Sequence, residues 1–513
     1  MSNIKVLYFW KKRKGQPSLS EQLSLDPISL KKETISGNLQ STMEIFNSFY
    51  SIPINSDVKV RNLLIGGLNK KASIIYISTI TDSQVIENQV IKNLLLNSDD
   101  SKEVQDILST KTIKNVEIIG DILKEINKGN VAILVDGHSI AYIIDASKFQ
   151  GRSIEKAENE VSLKGPKEAF NEQAVANISL IRKKIKNESL IVEITPVSVR
   201  ANNELYILYM KDLVNDELLQ SVKERVNSLD VASIQNLSLL EQFIEDREKS
   251  IFPTILNTEK PDRAVAYLED GFIILLMDNS PTSLVLPATF WSFFHLSEDN
   301  YLRILFANFI RSLRILALFI TLFASATYIS ITNYHVEMIP TDLLLAISAT
   351  REIVPFPSVI EILLMEIAFE LIREAGLRVP SPIGPTIGIV GALILGQAAV
   401  QANIVSPLVV IIVALGGLSS FAIGDINMNF TIRLLRFLFI ISGALFGFYG
   451  MAAVFTVILF YMLSIKTFGV PYLSPMTPKY VSSKDTVFRK LLQNQIFRPG
   501  YLKPKDMDKK AGE

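Results

Sequence analysis

The chain of 513 residues contains no cysteine and only three histidines, His138, His295 and His335. Disulfides, thiolate chemistry and thiolate metal sites are thereby excluded, and the histidines lie too far apart in sequence to supply a zinc spacing. An excess of charge is missing too, because 52 Lys and Arg balance 52 Asp and Glu. Such a chain lacks the basic footprint that general nucleic-acid binding needs. The N-terminus, MSNIKVLYFWKKRKG, puts a short apolar piece before a basic cluster and has no cleavable apolar core, so it does not read as a secretory signal. No nucleophile motif, metal cluster or phosphate loop is present. GGLNKKAS (66–73) lacks the Gly-Lys-Ser/Thr ending and reads as a turn between strands. Neither catalysis nor a cofactor is expected.

What is present is divided. Hydrophobic residues make up 48% of the chain and charged residues 20%, but charge dominates the first three hundred residues and most of the apolar excess follows them. The expected fold is α+β with an α-helical membrane part: a cytoplasmic region of two α/β subdomains, then a polytopic helical membrane domain. The boundaries read as a disordered basic tail at 1–38, subdomains at 39–148 and 149–290, the membrane domain at 291–468 and a cytoplasmic basic tail at 469–513.

Within the first region KVRNLLIGG and ASIIYIST alternate like strands, whereas DSQVIENQVIKNLLLN and VEIIGDILKEINKG carry a helical period. NVAILVDG and SIAYIID form a hairpin pattern. After a polar connector at 146–165 comes a second set: a helix in NEQAVANISLIRKKIKN, strands in SLIVEITPVSV and NELYILYM, and helices in VNDELLQSVKERVNSL, SLLEQFIEDRE and DRAVAYLED. The apolar pair GFIILLMDNSPTSLVLP then repeats the earlier hairpin, with Asp136 and Asp278 in equivalent places, which suggests a duplicated α/β unit. These aspartates read as turn residues before they read as a ligand site.

PATFWSFFHL (287–296) is short and aromatic, suited to a membrane interface. Arg303, Arg311 and Arg314 precede an uncharged run at 315–334, the first span. The most informative stretch is 355–391, PFPSVIEILLMEIAFELIREAGLRVPSPIGPTIGIVG. It opens as an apolar helix bearing Glu361, Glu366, Glu370 and Glu374 with Arg373. The last three acids form a stripe and Glu361 sits off it. Each carboxylate at mid-bilayer would cost roughly 2.5–3.5 kcal/mol, so these groups must face protein or water. They are candidates for an ion pathway; a structural stripe of ion pairs, such as Glu370 with Arg373, is the competing reading. Arg351, Glu352, Pro355 and Pro357 before the helix, and the elbow of Pro380, Pro382 and Pro385 after it, are candidate gating or hinge positions. Gln397, Gln401 and Asn403 read as helix-joining amides, and Gly388, Gly391 and Gly396 as close-packing positions.

The uncharged run 379–424 can cross twice with a break near 401–407, and 437–465 is one tilted span or two short ones folded at 447–450. Positive-inside counting selects six crossings over four, since six place Arg373, Arg378, Arg433 and Arg436 inside together with both termini.

The stretch 355–407, with KGPKEAFNEQAVANISLIRKKI, NTEKPDR, LRILALFITLFASATYISI, LLRFLFIISGALFGFYG and FGVPYLSP, resembles the A subunit of bacterial spore germinant receptors, the GerA family. Lys164 stands where the family pattern leads one to expect Arg, so a bidentate contact there is in doubt. The resemblance implies a multi-pass subunit of the inner membrane of the endospore, working with a transporter-like, germinant-binding B subunit and a lipoprotein C subunit. It implies a homo-oligomer, a pentamer, that opens to release monovalent cations. A homologue serving later ion and dipicolinate release, and a secondary transporter, are the alternatives; no repeat between the membrane halves favours the transporter.

Overall fold

In the computed structural model the described residues are 27–100, 102–108, 110, 112–149, 157, 159–160, 162, 164–378, 391, 394–482 and 486–509. They form two compact units. The first takes the described part of Met1–Ile154 with Gln173–Thr195 and Leu205–Lys211; the second takes the rest. The alternating segments become β1 (Val58–Ile65) and β2 (Lys70–Ile77), paired antiparallel, and the hairpin of β4 (Val131–Val135) with β5 (Ala141–Ile144). Strand β3 (Ile113–Val116) pairs with β5, giving the order β1-β2-β4-β5-β3. Every residue of β4 is buried. Ala132 and Leu134 pack with Phe46 and Tyr50 of α1 (Leu39–Tyr50) and Ile122 and Ile126 of α2 (Ile119–Asn127). Val131 and Ile133 meet Val90 and Leu94 on the opposite face. A strand covered on both sides has to be apolar throughout, which explains VAILV.

Residues 27–38, expected to be disordered, are packed: Ile35 is buried and its N–H donates to the Glu117 carbonyl. Residues 1–26 lie outside the described set. The first unit also holds α3 (Ala174–Lys184), β6 (Leu190–Pro196) up to Thr195 and β7 (Glu204–Met210) from Leu205, so its membership does not follow the expected boundary near 148. The reason is a buried ion pair. Arg182 of α3 holds the Asp57 carboxylate at 2.9 Å and donates to the Leu190 carbonyl, while Asn55 bonds Leu190 and Val192.

The second unit contains α4 (Asp216–Asn227), α5 (Leu237–Ile244), β8 (Leu256–Thr258), α6 (Pro261–Glu269), β9 (Ile273–Met277) and β10 (Ser283–Leu286). Its strands run β9-β10-β8, with α6 between β8 and β9. That repeats β4-β5-β3 with α2 between β3 and β4, and the registers correspond: Val131 faces Ile144 as Ile273 faces Leu286. Asp136 and Asp278 each stand directly after the first hairpin strand.

Two of the motifs are strapped together here. Glu160 accepts from Thr258 Oγ1 and the Glu259 N–H and pairs with Arg263, whose second nitrogen donates to the Ser292 and His295 carbonyls. Buried Lys260 donates to Ser162 and the Pro166 carbonyl. Lys164 is exposed.

The helical half starts with α7 (Ile304–Tyr334), which begins earlier than the uncharged run and so includes Arg311 and Arg314, both buried. Then follow α8 (Thr341–Arg351), α9 (Ser358–Arg378), a helical stretch at 394–401, α10 (Pro407–Ser420) and α11 (Ile426–Ser464). Helices α7 and α11 are long and apolar enough to cross a membrane. Gly447 breaks α11 with φ 57° and ψ −144°, a backbone that suits glycine. The two limbs fold back on each other. Phe323 of α7 lies 4.8 Å from Phe439 and 5.8 Å from Phe455, rings that a continuous helix would hold about 24 Å apart. Residues 246–252 grip both feet of this hairpin: Thr431 donates to the Ile251 carbonyl and Arg247 donates to the Ser464 carbonyl. At the far end Tyr334 donates to the Ala444 and Leu445 carbonyls.

The tail does not hang free. Arg498 donates to the Glu269 carbonyl, Lys509 pairs with Asp270 and Lys505 with Asp216. Arg489 reaches the node that starts α7, where fully buried Asp299 accepts from Arg311 and Arg314, each at 2.9 Å. Burial pushes the Asp299 carboxyl up, but Arg314 and Arg311 outweigh it and hold it below the usual carboxylate range. The stability it contributes is therefore complete above the ordinary carboxylate pKa and is lost as pH falls through the depressed one. Asp299→Asn should destabilise the chain by about 3–5 kcal/mol at pH 7, because two buried guanidiniums lose the fully buried carboxylate they share. Its unfolding temperature in detergent should then run parallel to that of the wild type down to about pH 4 and fall less steeply below it. Equal unfolding temperatures at pH 7 would show that the clamp does not stabilise.

Candidate functional site

Helix α9 runs antiparallel to α7: Ser358 bonds Asn333 near the far end and Glu366 bonds Ser325 lower down. Along α9 its three inward carboxylates span nine residues, about 13 Å of rise. Each has a different environment.

Glu361 is buried at the far end, where its Oε2 accepts the Ser406 N–H at 2.9 Å. Ser406 caps α10, with Pro407 in its first turn, so the carboxylate meets the positive end of that helix. Its Oε1, the Tyr328 hydroxyl of α7 and the Ser406 hydroxyl are buried with no hydrogen-bond partner among the described residues. A buried polar atom left in that condition costs about 1–3 kcal/mol.

Glu366 is fully buried. It accepts from Ser325 Oγ at 2.7 Å and lies 2.9 Å from an Arg436 nitrogen of α11. Glu370, half-buried, takes the same Arg436 nitrogen at 2.7 Å and a two-pronged contact from Arg433. Two carboxylates thus share two guanidiniums from the first limb of α11. Arg433 and Arg436 also lie over the Phe430 and Phe437 rings.

The expected Glu370–Arg373 pair is not what forms. Arg373 turns to α10, donating to the Gly417 carbonyl at 2.9 Å and to Ser420 Oγ at 2.6 Å, over the Phe421 ring. The last turn of α10 exposes carbonyls that attract a cation, and this outweighs a neighbour on its own helix. Glu374 is exposed.

Of the candidate gating residues, Arg351 ends α8 half-buried, while Glu352, its C-cap, and Pro355 and Pro357 are exposed. They line a pocket of about 520 Å³ with Thr332, Ile339 and Ile347. Pro380, Pro382, Pro385 and Gly388 lie outside the described residues. A Cβ added at Gly391 would meet Ile372, and one at Gly396 would meet Val410, at 3.5–3.8 Å, which is ordinary contact, so the packing does not demand glycine at either position. Sequence reasoning missed Ser325 and Tyr328, three apart in the uncharged run of α7, and Ser406. Their only signal was a hydroxyl on an apolar helix or at a cap.

Residues 44–501 match the family model described as Bacillus/Clostridium GerA spore germination protein. Spore germination protein KA of Bacillus subtilis (strain 168) is 40% identical over 443 residues, covering 85% of this chain and 81% of that protein. Spore germination protein A1 of the same organism is 36% identical, over 82% of this chain and 86% of that one. Spore germination protein GerLA of Bacillus cereus is 31% identical over 92% and 97%. Among solved structures, the N-terminal domain of the A subunit of the Bacillus megaterium spore germinant receptor GerK3 is 24% identical, covering 50% of this chain and 98% of that one with a TM-score of 0.40. The family match takes in both the α/β segments and the helical half, and the chain belongs to the GerA spore germination protein family.

Proposed function

We propose that this chain is the membrane subunit of a nutrient-germinant receptor, and that its helical half forms a germinant-gated path for monovalent cations. The observation that carries this reading is the file of Glu361, Glu366 and Glu370 inside an apolar bundle, since carboxylates along a path are a common way to select cations. One copy offers one acidic helix, so the path calls for a closed ring of identical subunits, here a pentamer. A transporter-like B subunit binds the nutrient, and a lipoprotein C subunit completes the complex in the inner membrane of the spore.

Six crossings are the count this reading takes, and the chain directions of α7, α9, the 394–401 stretch, α10 and the two limbs of α11 support it. The limbs are supported by Phe323 touching both. Arg311, Arg314, Arg373, Arg433 and Arg436 all fall toward the end where α7 begins, which makes that end cytoplasmic. Cysteines placed singly at Ser2 and Ser482 should therefore resist an impermeant thiol reagent until the membrane is breached. Labelling of either from outside would overturn the even count.

The ion reading is tested by Glu361→Gln, Glu366→Gln and Glu370→Gln, with exposed Glu374→Gln as comparison. The first three should accumulate normally, slow potassium release and alter cation preference while nutrient recognition by the partner subunit persists. Normal release from all three would sink the reading. Arg436→Met should instead deplete the protein, since an unpaired buried Glu366 costs about 3–5 kcal/mol, and adding Glu366→Gln should restore its level. If Arg436→Met accumulates normally, the pair does not hold the bundle together.

A further inference from the structure

The far end of α9 contains an oxygen cluster that ion pairing does not explain. Glu366 and Glu370 have arginine partners, but among the described residues Glu361 has none, and its one bond there is the Ser406 N–H on one oxygen. The other oxygen, the Tyr328 hydroxyl and the Ser406 hydroxyl are all unpartnered among the described residues. The three residues are 1%, 8% and 1% exposed in that order. The Tyr328 phenol feels the Glu361 charge and a side-chain hydrogen-bonding influence from Ser406 that falls short of a well-formed bond, and Ser406 in turn gives its N–H to Glu361, so the three groups are neighbours from α9, α7 and the start of α10. Arg351 acts on that phenol as well but makes no ion pair with Glu361.

We propose that Glu361, Tyr328 and Ser406 form a binding site for one monovalent cation. The ligands are hard: one carboxylate oxygen and two hydroxyl oxygens, a set that suits alkali ions rather than soft metals. The charge count sets the valence. One carboxylate and one monovalent ion leave the site neutral within apolar surroundings, whereas a divalent ion would leave a buried positive charge. Water would satisfy the hydroxyls but leave the carboxylate charge unmatched. The site stands about 7 Å of helix rise beyond Glu366, at the far entrance to the acidic file. The inference rests on the reading of this bundle as a cation path, and its test reads binding rather than flux.

The full chain, purified in detergent, would be unfolded thermally in potassium chloride and in N-methylglucamine chloride at equal ionic strength. Potassium should raise the unfolding temperature saturably, as any ligand of the folded state does. Tyr328→Phe, which removes one hydroxyl and little else, and Ser406→Ala should each weaken potassium binding about tenfold, and Glu361→Gln should abolish it. Glu374→Gln should leave it unchanged. Identical wild-type curves in the two salts would overturn the site, as would potassium stabilisation that survives in Tyr328→Phe and Glu361→Gln. If binding is lost in the variants but spore potassium release is unaffected, the site stands and the cation-path reading falls.

Discussion

Two oppositely charged residues of α9 are matched to the two ends of α10, and the helical half is built around that match. Glu361 receives the N–H of Ser406 at the start of α10, and Arg373 donates to Gly417 and Ser420 at its end. The two residues are twelve positions apart, about 18 Å of helix, close to the length of α10 itself. An anion at the positive end and a cation at the negative end are each favourable, and in surroundings of low dielectric both count for more than they would in water. The helices must then lie parallel and in one register. That also explains why Arg373 abandons Glu370, which is left for Arg433 and Arg436 of α11.

The remaining connections tie this bundle to the α/β part of its own unit through polar nodes rather than apolar area. Asp299 gathers Arg311 and Arg314 where α7 begins. Arg263 bridges the connector residue Glu160 and the carbonyls of Ser292 and His295 just before it. Residues 246–252 hold both feet of the α11 hairpin. In the second unit, α6 is thus tied through Arg263 to the segment that leads into α7, and residues 246–252 are tied to both limbs of α11. The long motifs KGPKEAF and NTEKPDR find their physical meaning here, since they contain or flank the residues of these straps.

Much of this was legible in the sequence, and the failures have identifiable causes. The hairpin repeat was readable because both strands of each pair are continuously apolar and the turns begin with Asp136 and Asp278. The break at Gly447 was only half readable: the uncharged run 437–465 admits one tilted span or two short ones folded at 447–450, and the backbone decides for the fold. Strands β3 and β8 were missed: they are four and three residues long, and each adjoins a helix whose stronger 3.6-residue period absorbs it. The Glu370–Arg373 expectation came from a rule of neighbours on one helix, which knows nothing of the carbonyls of α10. Tyr328 and Ser325 were invisible for a simpler reason. A hydroxyl in an apolar helix usually bonds its own backbone, and only the fold reveals which ones turn to a carboxylate.

The same charges limit how the bundle can move. Sliding α9 along α10 by one turn would carry Glu361 away from the Ser406 N–H and Arg373 past the last carbonyls, stranding both charges in apolar surroundings at several kcal/mol each. The two helices therefore move as one body. The seam between α9 and α11 is different, because Glu366 and Glu370 share Arg436 and Glu370 also holds Arg433. At such a seam one carboxylate can pass a guanidinium to the other without either being left bare, and Arg433, on the less buried side, can turn toward the near end. A shift of the α9–α10 body against α7 and α11 thus costs an exchange of partners rather than a loss of them. A relative shift of these helices is therefore cheapest along that seam.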